Sequence, residues 1–272
     1  MSNKLSGIGK GDRLRLSRIL QANFPSINSK HVSDILGITQ KQSSDLLSEW
    51  SKKGWVFRVK QGVYIPVSLT ADSPHRMVDE PWVLAKDIFE PYYIGGWSAA
   101  GYWGFTEQIF DTTMVFSSRK SSARDLKLSG AKFWVKIIKS ERMFGIQSIW
   151  IQNQKINISD PSKTIIDAFN QPAVVGGIRM SIDILKSYLN SEHQNLNKLF
   201  EYAIEMKNTT IFKRLGYVLE QNNLLDQNWR SQFLKEIKSG YSQLDPNNPG
   251  KSINTTWKLW LPTGWSKGVL GR

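Results

Sequence analysis

Two adjoining stretches decide the fold: Asn28-Ser-Lys-His-Val-Ser-Asp-Ile-Leu-Gly-Ile-Thr-Gln-Lys-Gln-Ser-Ser-Asp-Leu-Leu-Ser-Glu-Trp50, and then Trp55-Val-Phe-Arg-Val-Lys-Gln-Gly-Val-Tyr-Ile-Pro-Val67. Val32, Ile35 and Leu36 recur at helical spacing behind a capping residue, Asn28 or Ser29, which predicts a helix. Gly37 supplies the left-handed geometry that a tight inter-helix turn requires. Ile38 then plugs the junction and Thr39 caps a further helix, on which Ser43, Leu46, Leu47 and Trp50 share an inward face. The β-rich arms Val56–Val59 and Val63–Val67 flank Lys60-Gln61-Gly62, a turn with glycine available for positive φ. Upstream, a helix over Asp12–Phe24 is expected to turn Leu14, Ile19 and Leu20 inward. It ends at Pro25, because proline disfavours helical geometry in the residue before it. Three helices and a hairpin in this order predict a winged helix-turn-helix, within a first domain of residues 1–70.

A module of this kind lays one helix along the major groove of DNA. Thr39 opens that helix, and Gln40, Lys41, Gln42, Ser44 and Asp45 occupy its exposed first turn or outer face. Glutamine bonds bidentately to adenine, lysine favours guanine or phosphate, and serine is less particular. The same residues also suit a plain solvated face, and position after a turn and before a hairpin favours the DNA reading. Arg58 and Lys60 share a strand face by period-two alternation, with Gln61 at the tip, so they can meet phosphates or the minor groove. Lys4, Lys10, Arg13, Arg15 and Arg18 surround the first helix and can add phosphate contacts without reading sequence.

Charge points the same way. The 272 residues carry a net charge of +13; residues 1–66 hold 11 Lys/Arg against four Asp/Glu, and the remaining 206 hold 25 against 19. The excess is therefore concentrated in the segment that also reads as the DNA-binding fold, as expected for a polyanion-binding surface. The absence of cysteine excludes a disulfide framework and thiolate zinc sites, and fits a reducing compartment. Met1–Gly11 lacks the apolar core of a signal peptide, and no run approaches the length of a membrane span. A soluble cytoplasmic protein with no membrane association is expected.

Beyond Pro66 the polar segment Leu69–His75 reads as a linker, and a mixed α/β domain is expected over 71–272. Its first part, about 78–158, is strand-rich, with a helix around Pro81–Phe89 and strand-like runs at Thr112–Ser117, Phe133–Lys139 and Ile146–Gln152. Its second part, about 160–240, is helical. Asp160-Pro161 starts it with a capping carboxylate and a proline at the first helical position. Three or four amphipathic helices follow from Ile178 to Lys238, and Thr256–Leu261 is a last strand candidate.

Signals of catalysis weaken one by one. Gly7-Ile-Gly-Lys-Gly11 has no strand before it and no helix start immediately after it, so it reads as a basic tail, not a phosphate cradle. Glu205-Met-Lys207 and Glu236-Ile-Lys238 match a nuclease Glu-x-Lys but fall in helical patterns. Gly95-Gly96-Trp97-Ser98 lacks the paired carboxylates that would hold two metal ions. His31, His75 and His193 lie far apart without ligand spacing and read as surface positions. Asp160, Lys163, Thr164 and Asp167 form the most tempting polar group, read as structural because Asp160 already has a cap to make. No enzyme, metal or cofactor is expected.

Trp97, Trp103, Trp134 and Trp150 are expected to pack in the interior. Trp257 and Trp260 read either as packing or as an exposed partner patch. Arg119, Lys120, Arg124, Lys127 and Lys132 read equally as a nucleic-acid contact or a solvated loop.

Four segments, in order, carry a resemblance to a known family. They are Gln61-Gly-Val-Tyr-Ile-Pro66; Ile94-Gly-Gly-Trp-Ser-Ala-Ala-Gly-Tyr-Trp-Gly-Phe105; Ile158-Ser-Asp-Pro-Ser-Lys-Thr-Ile-Ile-Asp167; and Arg214-Leu-Gly-Tyr-Val-Leu-Glu220. With the N-terminal module they resemble the AbiEi-type antitoxins of abortive-infection (phage defence) systems, from about residue 12 to 262. Phe105 stands where leucine is commoner in that family. The resemblance implies an autorepressor that binds inverted repeats in promoter DNA and opposes a nucleotidyltransferase-like toxin, without a stable complex being required. The alternatives are a transcriptional regulator with a C-terminal ligand-sensing domain and no toxin, and a DNA-linked nuclease.

Overall fold

The computed structural model describes residues 7–22, 24, 26–66, 81–119, 125–128, 131–151 and 154–265. The chain is mixed α/β, and the described strands fall into sheets of two, six and three members. By its internal contacts the chain forms two compact units that are discontinuous in sequence: residues 1–92, 111–137 and 150–156, and residues 93–110, 138–149 and 157–272. The boundary read from the sequence near residue 70 falls in 67–80, outside the described residues.

In the first unit, α1 (Lys10–Gln21), α2 (Ser29–Leu36) and α3 (Gln40–Lys53) precede an antiparallel pair, β1 (Val56–Lys60) and β2 (Val63–Pro66). Leu16, Ile19, Ile27, Val32, Leu47, Trp50, Trp55, Val56 and Tyr64 pack into one core, each 6% exposed or less. Fully burying such a side chain is worth roughly 1.5–3 kcal/mol, so this short region has a substantial apolar interior of its own. The segment between α1 and α2 joins the hairpin: the Ile27 N–H donates to Tyr64 O at 2.7 Å and the Tyr64 N–H to Ile27 O at 2.8 Å.

Two expectations for the N-terminus need correction. Ile19 is buried as expected, but Leu14 is 63% exposed, and Leu16 faces the core in its place. Leu14 and Leu16 are two residues apart, which places them on opposite sides of a helix. The apolar set offered two phases, and packing against Ile27 and Trp50 decides between them. The helix also begins at Lys10, so Gly7–Gly11 is not wholly a tail; Gly9 is the residue before the first turn.

The rest of the first unit contains α4 (Pro81–Phe89), the start of β3 (Tyr92–Ile94), β4 (Thr112–Ser117), β5 (Asp125–Leu128) and β6 (Ala131–Ile137). β6 runs parallel to β4, from Thr112 opposite Lys132 to Ser117 opposite Ile137, and antiparallel to β5. Phe89 meets Phe133 edge to face at 5.3 Å, and Ser117 Oγ donates to Phe89 O at 2.7 Å, fixing α4 to these strands. Ser26 Oγ donates to the Asp87 carboxylate, tying the N-terminal helices to α4.

The second unit is built on helices. It holds α5 (Gly96–Tyr102), parts of β7 (Ile146–Ile151) and β8 (Gln154–Ser159), and then α6 (Pro161–Asn170), α7 (Ile178–Leu189), α8 (Leu196–Glu205), α9 (Thr209–Gln221) and α10 (Gln227–Lys235). β9 (Ser242–Gln243), β10 (Ser252–Asn254) and β11 (Leu259–Leu261) form the three-stranded sheet, in the order β10-β11-β9. Asp160 caps α6 by accepting the Lys163 N–H at 2.8 Å, with Pro161 in the first turn.

Trp257 is fully buried, and its Nε1–H donates to Glu220 at 2.6 Å, so it belongs to the core and not to a partner patch. An added Cβ at Gly216 would lie 2.1 Å from the Trp257 ring, which explains a glycine inside α9. Trp150, expected in the interior, is 73% exposed.

Candidate nucleic-acid interface

The local chemistry that presents α3 is complete. Gly37 closes α2 at φ +67°, and its N–H donates to Ser33 O at 2.9 Å. Ser33 Oγ in turn donates to Ile38 O at 2.6 Å, holding the chain between the two helices. Thr39 Oγ1 then accepts the Gln42 N–H at 3.2 Å, while Gln42 Oε1 accepts the Thr39 N–H at 2.9 Å. This reciprocal capping box satisfies two amides that a helix start otherwise leaves open. Ser43 Oγ donates back to Thr39 O at 3.0 Å on the buried side.

Ser43, Leu47 and Trp50 are fully buried, and Trp50 packs at 6.3 Å from Trp55 just past the helix end. Gln40, Lys41, Gln42, Ser44, Asp45, Ser48, Glu49 and Lys52 are exposed. At 3.6 residues per turn, Lys41, Ser44, Asp45, Ser48 and Lys52 form the stripe opposite the buried one, with Gln40 and Gln42 on its flanks. Ser48 and Lys52 extend the polar face beyond the residues that the sequence singles out near the helix start, at positions that the helical period alone reaches. The structure also corrects how Gln42 is placed, since its amide oxygen is held by the cap. A free bidentate grip on adenine needs that oxygen as well as the nitrogen.

The hairpin differs in one respect from simple alternation. Arg58 stands opposite Tyr64 but Lys60 stands opposite Val63, so the register slips by one and Val59 has no partner across the pair. An extra residue breaks the period of two, and the two basic residues are therefore not placed on one face by alternation alone. Arg58 is exposed, with its guanidinium 6.0 Å from the Tyr64 ring centre. Gln61 is exposed at the turn, where Gly62 adopts φ +77°. The Lys60 side chain lies outside what is described.

On α1, Arg13, Arg15 and Arg18 are exposed, and Arg15 pairs with Asp12 at 3.5 Å. Among the described residues, Arg13, Arg18 and Lys41 have no ion-pair partner, and no bond links α1's arginines to α3 or the hairpin. Lys53 at the end of α3 pairs with Glu49 at 2.5 Å, and the hydrogen bond from Lys53 holds the Glu49 carboxyl below its ordinary range.

The expected polar group on α6 is a buried cluster. Lys163 is fully buried; its ammonium bonds Asp167 and donates to Tyr93 Oη at 3.1 Å, while Tyr93 Oη donates to Asp167 at 2.8 Å. The rings of Tyr93 and Phe144 lie 5.1 Å and 5.0 Å from the ammonium. Burial, and then Asp167, push the Tyr93 hydroxyl well above its usual pKa. Asp160 also accepts from Tyr202 Oη at 2.7 Å and pairs with Lys198 at 2.8 Å. Burial and Asp160 likewise raise the Tyr202 pKa. Thr164 Oγ1 lies 2.8 Å from Ser159 Oγ and 2.9 Å from Asp160 O. Each of these groups is spent on another protein group. Sequence reasoning singled out Asp160, Lys163, Thr164 and Asp167 but could not find Tyr93, which is seventy residues away on β3.

Glu205 ends α8 and Glu236 follows α10, so neither lies on a strand. Among the described residues, no group of three or more His, Asp or Glu is placed to hold a metal ion. His31 is half-buried and stacked on Phe24 at 4.7 Å, and His193 meets Trp103 at 5.4 Å, so both are packing residues and not free surface ones. His75, Lys4, Lys120 and Arg124 lie outside the described residues. Of the remaining basic run, Lys132 on β6 pairs with Asp111, so its charge is already engaged. No described helix is long and apolar enough to cross a membrane. Comparison with protein-family models and with curated proteins finds no match for this chain.

Proposed function

We propose that residues up to Pro66 form a winged helix-turn-helix that binds double-stranded DNA, and that the protein is a transcriptional repressor. One observation carries this reading: α3 buries Ser43, Leu47 and Trp50 and turns Lys41, Ser44, Ser48 and Lys52 outward, within a segment of net charge +7. A short polar and basic helix, anchored from behind and followed by a hairpin bearing exposed Arg58, has the form of a groove-reading element. Arg58 and the α1 arginines supply charge for phosphates.

The finer reading is that of an antitoxin that represses its own operon at inverted repeats and opposes a nucleotidyltransferase-like toxin. It rests on the four segments that resemble the AbiEi-type family. The competing regulator with a sensing domain predicts the same DNA binding without a toxin.

Gel-shift titration of the full chain against the DNA upstream of its own gene tests the first part. Binding that survives a large excess of unrelated duplex supports it, and equal competition by both overturns it. Co-expression with the product of the adjacent gene tests the second: rescue from growth arrest supports an antitoxin, and an adjacent gene whose product is harmless favours the plain regulator.

A further inference from the structure

Asp45 is the anomaly on the α3 face. It lies four residues after Lys41 and three before Ser48, in the middle of the exposed stripe. It is the sixth residue of the helix, past the first turn in which a carboxylate gains from the helix dipole. Among the described residues it makes no hydrogen bond and no ion pair, not even with Lys41 on the same stripe. Its neighbours on the helix surface are Lys41, Ser44, Ser48 and Lys52, together with Glu49, whose carboxylate is already taken by Lys53.

A carboxylate facing a polyanion lowers affinity for every sequence alike, because it opposes the phosphates. What it can gain there is specific. An ionised carboxylate only accepts hydrogen bonds, and in the major groove the group that suits it is the exocyclic amino group of cytosine. Lysine and serine beside it serve phosphate, guanine or either partner, and so tolerate many sequences.

We propose that Asp45 is the specificity-determining residue of α3, accepting from the N4 amino group of one cytosine in the recognised duplex. The inference rests on the DNA-binding reading above. The Lys41 side chain next to it offsets the charge and takes a neighbouring guanine or phosphate. Discrimination therefore comes from an acceptor held among donors, and affinity comes from the cations.

The test is selection of binding sites from a random duplex library by the full chain, alongside Asp45→Asn and Asp45→Ala. Both variants change an exposed side chain, and circular dichroism with thermal melting verifies that they fold. The wild type should select a motif with one position held as cytosine. Asp45→Asn should move that position to adenine, which asparagine grips bidentately. Asp45→Ala should relax that position by roughly tenfold or more, leave the others unchanged, and bind unrelated duplex at least as well as the wild type. Identical motifs of equal stringency from all three proteins overturn the assignment of Asp45 while leaving DNA reading intact. A wild type that enriches no motif overturns DNA reading itself, and the role of Asp45 with it.

Discussion

Gln42 Oε1 accepts the Thr39 N–H at 2.9 Å while Thr39 Oγ1 accepts the Gln42 N–H, so the side chain most suited to adenine is engaged in starting the helix that would present it. Replacing Gln42 with alanine therefore mixes two effects. The lost bond to the Thr39 N–H should cost about 0.5–1.5 kcal/mol, read as a lower urea midpoint at unchanged slope, while Thr39 Oγ1 still caps the backbone N–H of residue 42. Gln42→Glu keeps an acceptor at the same place and should hold stability close to wild type. If that variant also keeps DNA discrimination, Gln42 serves only the cap.

The outward stripe offers a cleaner probe. Gln40→Ala with Lys41→Ala leaves the capping box intact and should reduce preference for the cognate duplex while weak general binding persists. Arg58→Ala, a backbone contact in this reading, should lower the log–log salt slope by about 0.9 with little change in preference. Fluorescence anisotropy over a range of salt separates the two patterns, and an unchanged slope for Arg58→Ala removes it from the interface.

Lys163 and Asp167 form an ion pair inside the second unit, both almost without exposure. Removing one partner strands a buried charge, so Asp167→Leu should cost about 3–5 kcal/mol. The double variant Lys163→Met with Asp167→Leu should be more stable than either single change, because no charge remains uncompensated. Denaturant unfolding of the four proteins completes the cycle, and additive losses would show that the pair is not coupled.

Gly216 lies against Trp257, with no room for a further carbon. Gly216→Ala should destabilise the second unit by about 1–3 kcal/mol through overpacking. The Trp257 indole must shift, so its bond to Glu220 should weaken and the tryptophan emission should change. An alanine variant with wild-type stability and emission contradicts this account.

Burial raises the pKa of Tyr93, Tyr188, Tyr202 and Tyr217 above the ordinary value of 10.0. The folded chain thus holds these protons at a pH where the unfolded chain releases them. Stability contributed by the neutral hydroxyls is complete below about pH 10 and is lost as pH rises through the folded values. Tyrosinate absorbance should therefore appear in part late, together with unfolding. Full titration of all eight tyrosines near pH 10 without unfolding would argue against the buried bonds.

Much of the N-terminal architecture was legible because its signals are local. Asn28, Gly37 and Thr39 mark helix ends by their own local chemistry, and the spacing of Ser43, Leu47 and Trp50 marks the buried side of α3. The helix at Pro81–Phe89 and the strand at Thr112–Ser117 likewise stand where their apolar runs put them. Short pieces such as β3 and β9 are not marked in the sequence. They become strands through neighbours farther along the chain, as Ile94 does with Ile158 and Ser242 with Leu259.

By itself, the sequence determined where α2 and α3 start, where positive charge concentrates, and which side of α3 is polar, because caps, charges and helical periods act over a few residues. Tertiary structure alone decided that Leu16 and not Leu14 faces inward, that a one-residue slip separates Arg58 from Lys60, and that Tyr93 closes the Lys163–Asp167 pair. It also decided that Trp257 is interior and Trp150 exposed. These outcomes depend on which surfaces meet, and a contact between distant residues leaves no trace in the spacing of either segment.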